Sequence, residues 1–142
     1  MKNIIIIIFV LLTTDLFSQT LDPGPFQNAD VISEYPGGIQ RLYNYISDSL
    51  RYPPEALEMN IEGMVNVYFV LNSHGQIIKE LTKVDYSTNQ LFNEEAIRLV
   101  NNSGDWIPAK LTKEGPSIKS QRIIPIRFII VEKKKSKKKR KK

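Results

Sequence analysis

The sequence predicts an α+β domain in which a small three-stranded antiparallel sheet has helices packed on one face. Two Tyr-Pro pairs, Tyr35-Pro36 and Tyr52-Pro53, each come directly before a predicted helix. Two β-rich segments follow, then a third helical segment and a last β-rich one. The order helix, helix, strand, strand, helix, strand is typical of an α+β fold.

The first two helices are predicted from the Tyr-Pro pairs. Proline fixes φ near the helical value and lacks the N–H that a first helical turn leaves unpaired, so each pair marks an extended segment that turns into a helix. The second helix is expected over residues 54–60, with Gly63 after its end. The first helix should present one apolar stripe, formed by Ile39, Leu42, Tyr43, Ile46 and Leu50.

The next two segments are predicted to form a β-hairpin. Residues 64–71 alternate between two faces, turn-forming residues occupy 72–75, and a second strand is expected over 76–84. The alternation slips in the second strand, which allows a β-bulge. His74 lies in the turn, where we expect a solvent-exposed side chain and not a ligand. The inward face of the first strand should carry Val65, Val67, Phe69 and Leu71.

A third helix and a final strand complete the predicted domain. The helix is expected over residues 91–101, with Thr88 or Asn89 as its cap and with Phe92, Ala96, Leu99 and Val100 facing inward. The final element is expected over residues 118–131, after a polar loop at 111–117. Pro125 cannot donate a ladder hydrogen bond, which favours an edge position for this strand. Trp106 is expected to anchor the core rather than to serve as a ligand platform.

The N-terminal residues predict an exported protein. One lysine precedes an uninterrupted apolar run at residues 4–12, and polar sequence follows. This is the pattern of a secretory signal over residues 1–18, with cleavage after Ser18 and a periplasmic location. An uncleaved inner-membrane anchor is the alternative, although a span needs about 20 apolar residues and Asp15 interrupts this run. Residues 19–33 contain two prolines and no helical period, so they are predicted to be a linker or extended arm before the domain at 34–131.

The positive charge is concentrated at the C-terminus. The net charge is +5, yet nine of the 20 Lys and Arg residues, and none of the 15 Asp and Glu residues, lie in the last ten positions. The preceding residues therefore carry a net charge of −4, which argues against nucleic-acid binding by the domain itself. A disordered tail is expected over residues 132–142. Its candidate polyanion-binding residues are Lys133, Lys134, Lys135, Lys137, Lys138, Lys139, Arg140, Lys141 and Lys142.

Enzymatic and metal-binding functions have little support in the sequence. The chain has no cysteine, which excludes disulfides, thiolate metal sites and thiol nucleophiles, and its single histidine excludes a site with two imidazoles. Glu94 and Glu95 are adjacent, but adjacent helical residues point about 100° apart, so they cannot act as an acid–base pair on one substrate. We therefore predict a non-enzymatic protein without a metal or another cofactor.

Several of these segments occur in the same order in a known family. They are Tyr52-Pro53, Ala56, "IEGMVNVYFVLNSHGQI", "EEAIRLV", "WIPAK" and "IPIRF". Together they resemble the C-terminal domain of the TonB energy transducer, and the resemblance extends over about residues 34–131. The upstream segment "EYPGGIQRLYNYI" is similar to an extension found in TonB-like proteins of the Bacteroidetes type.

The resemblance implies a periplasmic domain that captures a short peptide, the TonB box, from a TonB-dependent outer-membrane receptor during transport across the outer membrane. By position it implies that Tyr52 and Pro53 bind the partner together with the final strand, which would accept the peptide by strand addition. The strand residues are Ile123, Ile124, Pro125, Ile126, Arg127, Phe128, Ile129 and Ile130.

The alternative function is that of a secreted polyanion-binding or adaptor protein, which would act through its lysine-rich tail. Nine basic residues can attract anionic lipid or acidic glycan in a salt-dependent manner. Nucleic acid is a weaker candidate, because no aromatic side chain is interleaved with the lysines to stack on bases. The sequence leaves a homodimer open.

Overall fold

The computed structural model describes residues 29–131. The predicted signal at 1–18, most of the predicted arm and the lysine-rich tail (residues 132–142) lie outside the described residues. Within residues 29–131, none of the helices has the length and apolarity needed to cross a membrane.

The predicted α+β fold is confirmed. The helices are α1 (Gly38–Ser49), α2 (Pro54–Glu58) and α3 (Asn93–Asn101), and short 3-10 turns occupy Lys79–Leu81 and Gln90–Phe92. The strands are β1 (Gly63–Leu71), β2 (Lys83–Ser87), β3 (Ala109–Lys110), β4 (Ser117–Ile118) and β5 (Ser120–Phe128).

The main sheet has the order β2-β1-β5 and is antiparallel throughout. β1 therefore lies in the centre, and β5 pairs with it in one continuous register from Gly63 opposite Phe128 to Leu71 opposite Ser120. The pairing of β1 with β2 is shorter, and its register shifts between Asn66 and Val67. The predicted antiparallel partnership of the first two strands is thus correct.

The predicted bounds of the second strand are wrong. The expected strand at 76–84 is replaced by one isolated bridge at Ile77, a 3-10 turn, and then β2 from residue 83 to 87. The Asn72 side chain accepts hydrogen bonds from the N–H groups of His74 and Gln76, which closes a tight turn. Because the turn and the 3-10 segment occupy the residues before it, regular pairing with β1 begins only at Lys83. His74 is exposed, as predicted.

Smaller boundary corrections have local causes. The second helix ends at residue 58 instead of 60 because Asn60 adopts a left-handed φ of 53°. The Asn89 side chain accepts from the N–H of Leu91, as the predicted cap should, but the first residues of the expected third helix form a 3-10 turn. The polar loop at 111–117 is bounded by the unpredicted hairpin of β3 and β4, and the final strand begins at residue 120 instead of 118.

The core lies between one face of the main sheet and the helices. The predicted inward face of β1 is confirmed, and β5 adds Ile124, Ile126 and Phe128 to the same face. Trp106 anchors this core as predicted: it is 4% exposed and donates through Nε1 to Ser103 Oγ at 3.1 Å. From the helices and the 3-10 turn, the buried residues are Leu42, Ile46, Ala56, Phe92, Ala96, Leu99 and Val100.

The predicted apolar stripe of α1 is only partly buried. Leu42 and Ile46 enter the core, whereas Ile39 is 57% and Tyr43 is 42% exposed. At 100° per residue, Ile39 and Tyr43 lie on one flank of the stripe and the two buried residues lie on the other. The sheet covers only one flank, and the other flank faces the free edge of β5.

Candidate binding site at the free edge of β5

β5 is an edge strand, as Pro125 predicted. Within residues 29–131 it pairs with β1 alone, so its second edge is unpaired. Pro125 lies opposite Asn66, and a residue without an N–H fits the positions that exchange no hydrogen bonds with the neighbouring strand. In this register the even-numbered residues direct their main-chain groups toward β1, and the N–H of Ile130 follows the same pattern by donating to Glu62 Oε1 at 2.6 Å.

The odd-numbered residues of β5 therefore direct their main-chain groups away from the sheet. These groups are the N–H and C=O of Ile123 and Arg127 and the C=O of Pro125. Ile129 follows directly after β5, and continued alternation directs its N–H outward as well. Their side chains are exposed, whereas the side chains of Ile124, Ile126 and Phe128 are at most 4% exposed and belong to the core. A partner at this edge would therefore contact alternate residues of the predicted strand.

α1 and the extended segment before it turn this edge into the wall of a groove, which we call the edge groove. Its C-terminal cavity has a volume of about 620 Å³. It lies between residues 43–50, which form the second half of α1 and its C-cap, and residues 125–131. Its N-terminal cavity, of about 440 Å³, lies between residues 32–43 and residues 122–125. Tyr43 and Pro125 line both cavities and so mark the division between them.

The walls of the edge groove are unusually apolar for an exposed surface. Half of the twelve large apolar residues that are exposed in residues 29–131 line one of its cavities with some of their atoms. A concentration of this kind marks an interaction surface more often than chance exposure does. The six residues are Ile32, Ile39, Tyr43, Ile123, Ile129 and Val131.

α1 is held in place by polar contacts with α3. The hydroxyl of Tyr45 donates to the carbonyl of Leu99 at 3.0 Å, and burial raises the pKa of this tyrosine. The guanidinium of Arg98 donates to the carbonyl of Ser49 at 2.8 Å, at the C-terminus of α1, where a cation also favours the helix dipole. The helical wall of the edge groove is therefore fixed to the body of the domain.

Glu95 completes the junction between α1 and α3. It forms an ion pair with Arg98 at 2.7 Å, and it accepts the N–H of Arg51 at 2.6 Å. Burial opposes its ionisation, but the hydrogen bonds and charges of the two arginines outweigh burial and hold the pKa of Glu95 below its ordinary value. Glu95 therefore has a structural role at this junction.

The N-terminal wall of the groove is also fixed. The N–H and C=O of Val31 exchange hydrogen bonds with Lys110, and those of Glu34 exchange hydrogen bonds with Ile107. The segment at residues 30–34 therefore runs antiparallel beside β3 and its preceding residues. These short pairings position Ile32 and Tyr35 in the wall of the N-terminal cavity.

Tyr52 packs against the core and lies outside the walls of the groove. Its hydroxyl donates to the carbonyl of Ile61 at 2.6 Å, and its ring meets the rings of Phe92 and Phe128 edge-on at 5.9 Å. Burial, and then the charge of Glu62, raise the pKa of Tyr52. Among residues 29–131, the cavity walls do not include Tyr52 or Pro53. Tyr52 therefore contacts the predicted strand at Phe128 but does not line the groove.

Sequence reasoning missed the contribution of α1 and the preceding segment to this surface. The sequence predicts one apolar stripe on α1, but it does not show how much of that stripe the sheet covers. The candidate polyanion-binding lysines lie outside the described residues. Val131, the last described residue, lines the C-terminal cavity.

The edge groove offers main-chain groups and apolar walls, and it lacks the chemistry of a metal centre. In residues 29–131, there is no group of three His, Cys, Asp or Glu residues that could hold a metal ion. An unpaired strand edge beside apolar cavities can bind an extended peptide.

Comparison with known proteins gave two kinds of match. Residues 48–130, more than half of the chain, match the sequence model described as the Gram-negative bacterial TonB protein C-terminal. One NMR solution structure of the Helicobacter pylori TonB C-terminal domain is 25% identical, with a TM-score of 0.50, and the match covers 66% of this chain and 95% of that chain. A longer form of the same domain is 24% identical, with a TM-score of 0.49 and coverages of 70% and 91%. No curated protein matches the chain. Nearly all of α1 precedes the matched residues.

Proposed function

Because the chain belongs to the Gram-negative bacterial TonB protein C-terminal family, we propose that it captures a TonB-box peptide of an outer-membrane receptor by strand addition to the free edge of β5. The observation that carries this proposal is the unpaired edge of a nine-residue strand beside an apolar groove. The protein would act as a non-enzymatic binding module in transport across the outer membrane.

The free edge of β5 supports strand addition through its main chain. A captured peptide would pair with the outward groups of Ile123, Pro125, Arg127 and Ile129, and each hydrogen bond would contribute a net of about 1 kcal/mol. An exposed edge of this length is a hazard unless it is protected or used. Pro125 and the charge of Arg127 would protect it in part against pairing with a second copy of the strand.

The other edge of the sheet, at β2, is a weaker candidate. β2 has five residues, and its register with β1 is broken by a shift. It also carries the charged residues Lys83 and Asp85, and short, charged and irregular edges resist pairing with another strand. Both features favour β5 as the accepting strand.

The proposed setting is the periplasm. Residues 1–18 would direct export and be removed, residues 19–33 would form an arm, and the lysine-rich tail would remain outside the folded domain. An uncleaved anchor facing the periplasm is the alternative arrangement. The intact mass of the exported protein separates the two, because a cleaved chain begins at Gln19.

A second candidate function is polyanion binding by the lysine-rich tail. It is favoured by the concentration of nine basic residues next to a body with the opposite net charge. Binding of the tail to anionic lipid or glycan should disappear as salt is raised, because screening weakens contacts between exposed charges. Strand addition should resist the same salt.

Substitution of Arg127 by proline tests the proposed site. It removes one outward N–H, and because the N–H of this residue does not face β1, the sheet should remain intact. Loss of one such bond should weaken binding of a synthetic TonB-box peptide by about fivefold or more.

Arg127→Ala is the matched variant, because it removes the same side chain and retains the N–H. The proline variant should bind clearly more weakly than the alanine variant, as measured by calorimetry, while both keep a cooperative thermal transition. If folded Arg127→Pro binds the peptide as tightly as Arg127→Ala, strand addition at this edge is wrong. The Tyr52-Pro53 region would then be the better candidate.

A further inference from the structure

The edge groove contains a side-chain pattern in addition to the unpaired main chain. Its two cavities are separated at Tyr43 and Pro125, which line both. Along β5, residues 122–125 line the N-terminal cavity, and residues between 125 and 131 line the C-terminal cavity. The middles of these two stretches lie near positions 124 and 128, although Phe128 itself lines neither cavity. These positions are four residues apart, which corresponds to about 13 Å along a strand.

An added strand would direct alternate side chains toward α1. Paired residues of neighbouring strands place their side chains on the same face of a sheet. The side chains of Ile124, Ile126 and Phe128 face the helices. The peptide residues opposite these three positions would therefore face the edge groove, and those between them would face the open side of the sheet.

We infer that the edge groove selects peptides that carry two apolar side chains four residues apart, with a small residue midway between them. One apolar side chain would enter each cavity, and the middle residue would meet the division at Tyr43 and Pro125. This inference rests on the proposed function, because it requires the peptide to pair with β5. The spacing holds for either direction of the added strand.

An apolar peptide strand is the occupant that the groove fits best. The groove continues directly from unpaired main-chain donors and acceptors, which a lipid or a packed helix would leave unsatisfied. Its exposed helical wall is aliphatic and aromatic at Ile39 and Tyr43. Selection would be carried largely by α1 and residues 32–35, nearly all of which precede the residues matched by the family model.

Three isomeric host peptides test the spacing. Each has the same short Thr/Ser/Gln composition and two leucines, placed at i and i+2, at i and i+4, or at i and i+6. The full chain is titrated with each peptide at high salt, so that contacts of the lysine-rich tail are screened. The i, i+4 peptide should bind about tenfold more tightly than either isomer, because only it can bury both leucines.

Two wall substitutions then assign the cavities. Ile39→Ala opens the N-terminal cavity, and Val131→Ala opens the C-terminal one. In Ile39→Ala, replacement of the peptide leucine in the N-terminal cavity by alanine should cost less affinity than it does with the native protein, and replacement of the other leucine should cost the same. Val131→Ala should show the reverse pattern. Met59→Ala is the matched control, because Met59 is 56% exposed, close to the 57% of Ile39, and lies outside both cavities.

The possible failures are distinguishable. If all three isomers bind equally and Arg127→Pro weakens them all, strand addition stands and the selection by two cavities is wrong. The selection by two cavities would also be wrong if Ile39→Ala changed the affinity contribution of both leucines equally, because the two side chains would then share one cavity. If no isomer binds and a TonB-box peptide is unaffected by Arg127→Pro, the proposed function fails as well.

Discussion

Replacement of Pro125 by alanine should strengthen peptide binding while it weakens the fold. Pro125 occupies an outward-facing position of the edge, where alanine would supply the one N–H that the native strand lacks between Ile123 and Arg127. One additional hydrogen bond is worth a net of about 1 kcal/mol, which corresponds to about fivefold tighter binding. Loss of proline also enlarges the entropy of the unfolded chain, which should lower the free energy of unfolding by about 0.4–1 kcal/mol.

The opposite signs of these two effects make the test specific. Calorimetry with a TonB-box peptide measures the first, and urea denaturation of the same protein measures the second. Pro116→Ala is a suitable control, because this exposed proline lies in the loop between β3 and β4, away from the edge groove. It should show the loss of stability without the gain in affinity. If Pro125→Ala binds no more tightly than the native chain, the outward N–H groups of β5 do not contact the peptide.

Three further changes test the packing, the junction of α1 and the tail. Ser33→Ala should leave the free energy of unfolding unchanged or raise it by up to about 1 kcal/mol, because the buried Ser33 hydroxyl has no hydrogen-bond partner in the described residues. Ser103→Ala should lower the free energy of unfolding by about 1–3 kcal/mol, because it leaves Trp106 Nε1 unpaired. A loss at Ser33 as large as that at Ser103 in urea denaturation would contradict this assignment. Because the pKa of Glu95 is lowered in the folded state, its stabilisation is present above its ordinary pKa and is lost as the pH falls through the folded value. Glu95→Gln should therefore flatten the acid side of the stability–pH curve, and an unchanged curve would refute its role at the junction. Deletion of residues 132–142 should leave the thermal midpoint unchanged and abolish low-salt binding to anionic vesicles, and a large fall in the midpoint would show that the tail is structural.

The sequence predicted the features that have a strong local signal. Alternation in β1 defined its buried face, because a strand with one covered face must repeat every second residue. Pro125 predicted the edge position of the final strand, because proline cannot complete a central ladder. The edge on which the candidate site is built was therefore accessible before the structure.

The missed features depend on contacts that leave no periodic pattern. The position of β2 is set by the hydrogen bonds of the Asn72 side chain and by a 3-10 turn, and neither changes the spacing of apolar residues. The pairing of residues 30–34 with 107–111 involves a few main-chain hydrogen bonds in segments too short to show alternation. The position of β2 and the wall of the N-terminal cavity formed by residues 32–35 were therefore beyond the reach of sequence pattern alone.

The exposed flank of α1 is the point at which local pattern and tertiary structure disagree. A core-forming helix should bury its whole apolar stripe, yet Ile39 and Tyr43 remain 57% and 42% exposed and forgo part of the stabilisation that burial would provide. The helix cannot simply rotate to cover them, because Arg98 and Tyr45 fix it to α3 through the carbonyl of Ser49 and the carbonyl of Leu99. Such disagreements between levels are expected at functional sites. At this one, the uncovered apolar flank lies beside the one long unpaired edge in the described residues, so a peptide strand that pairs with β5 would also supply the missing apolar cover.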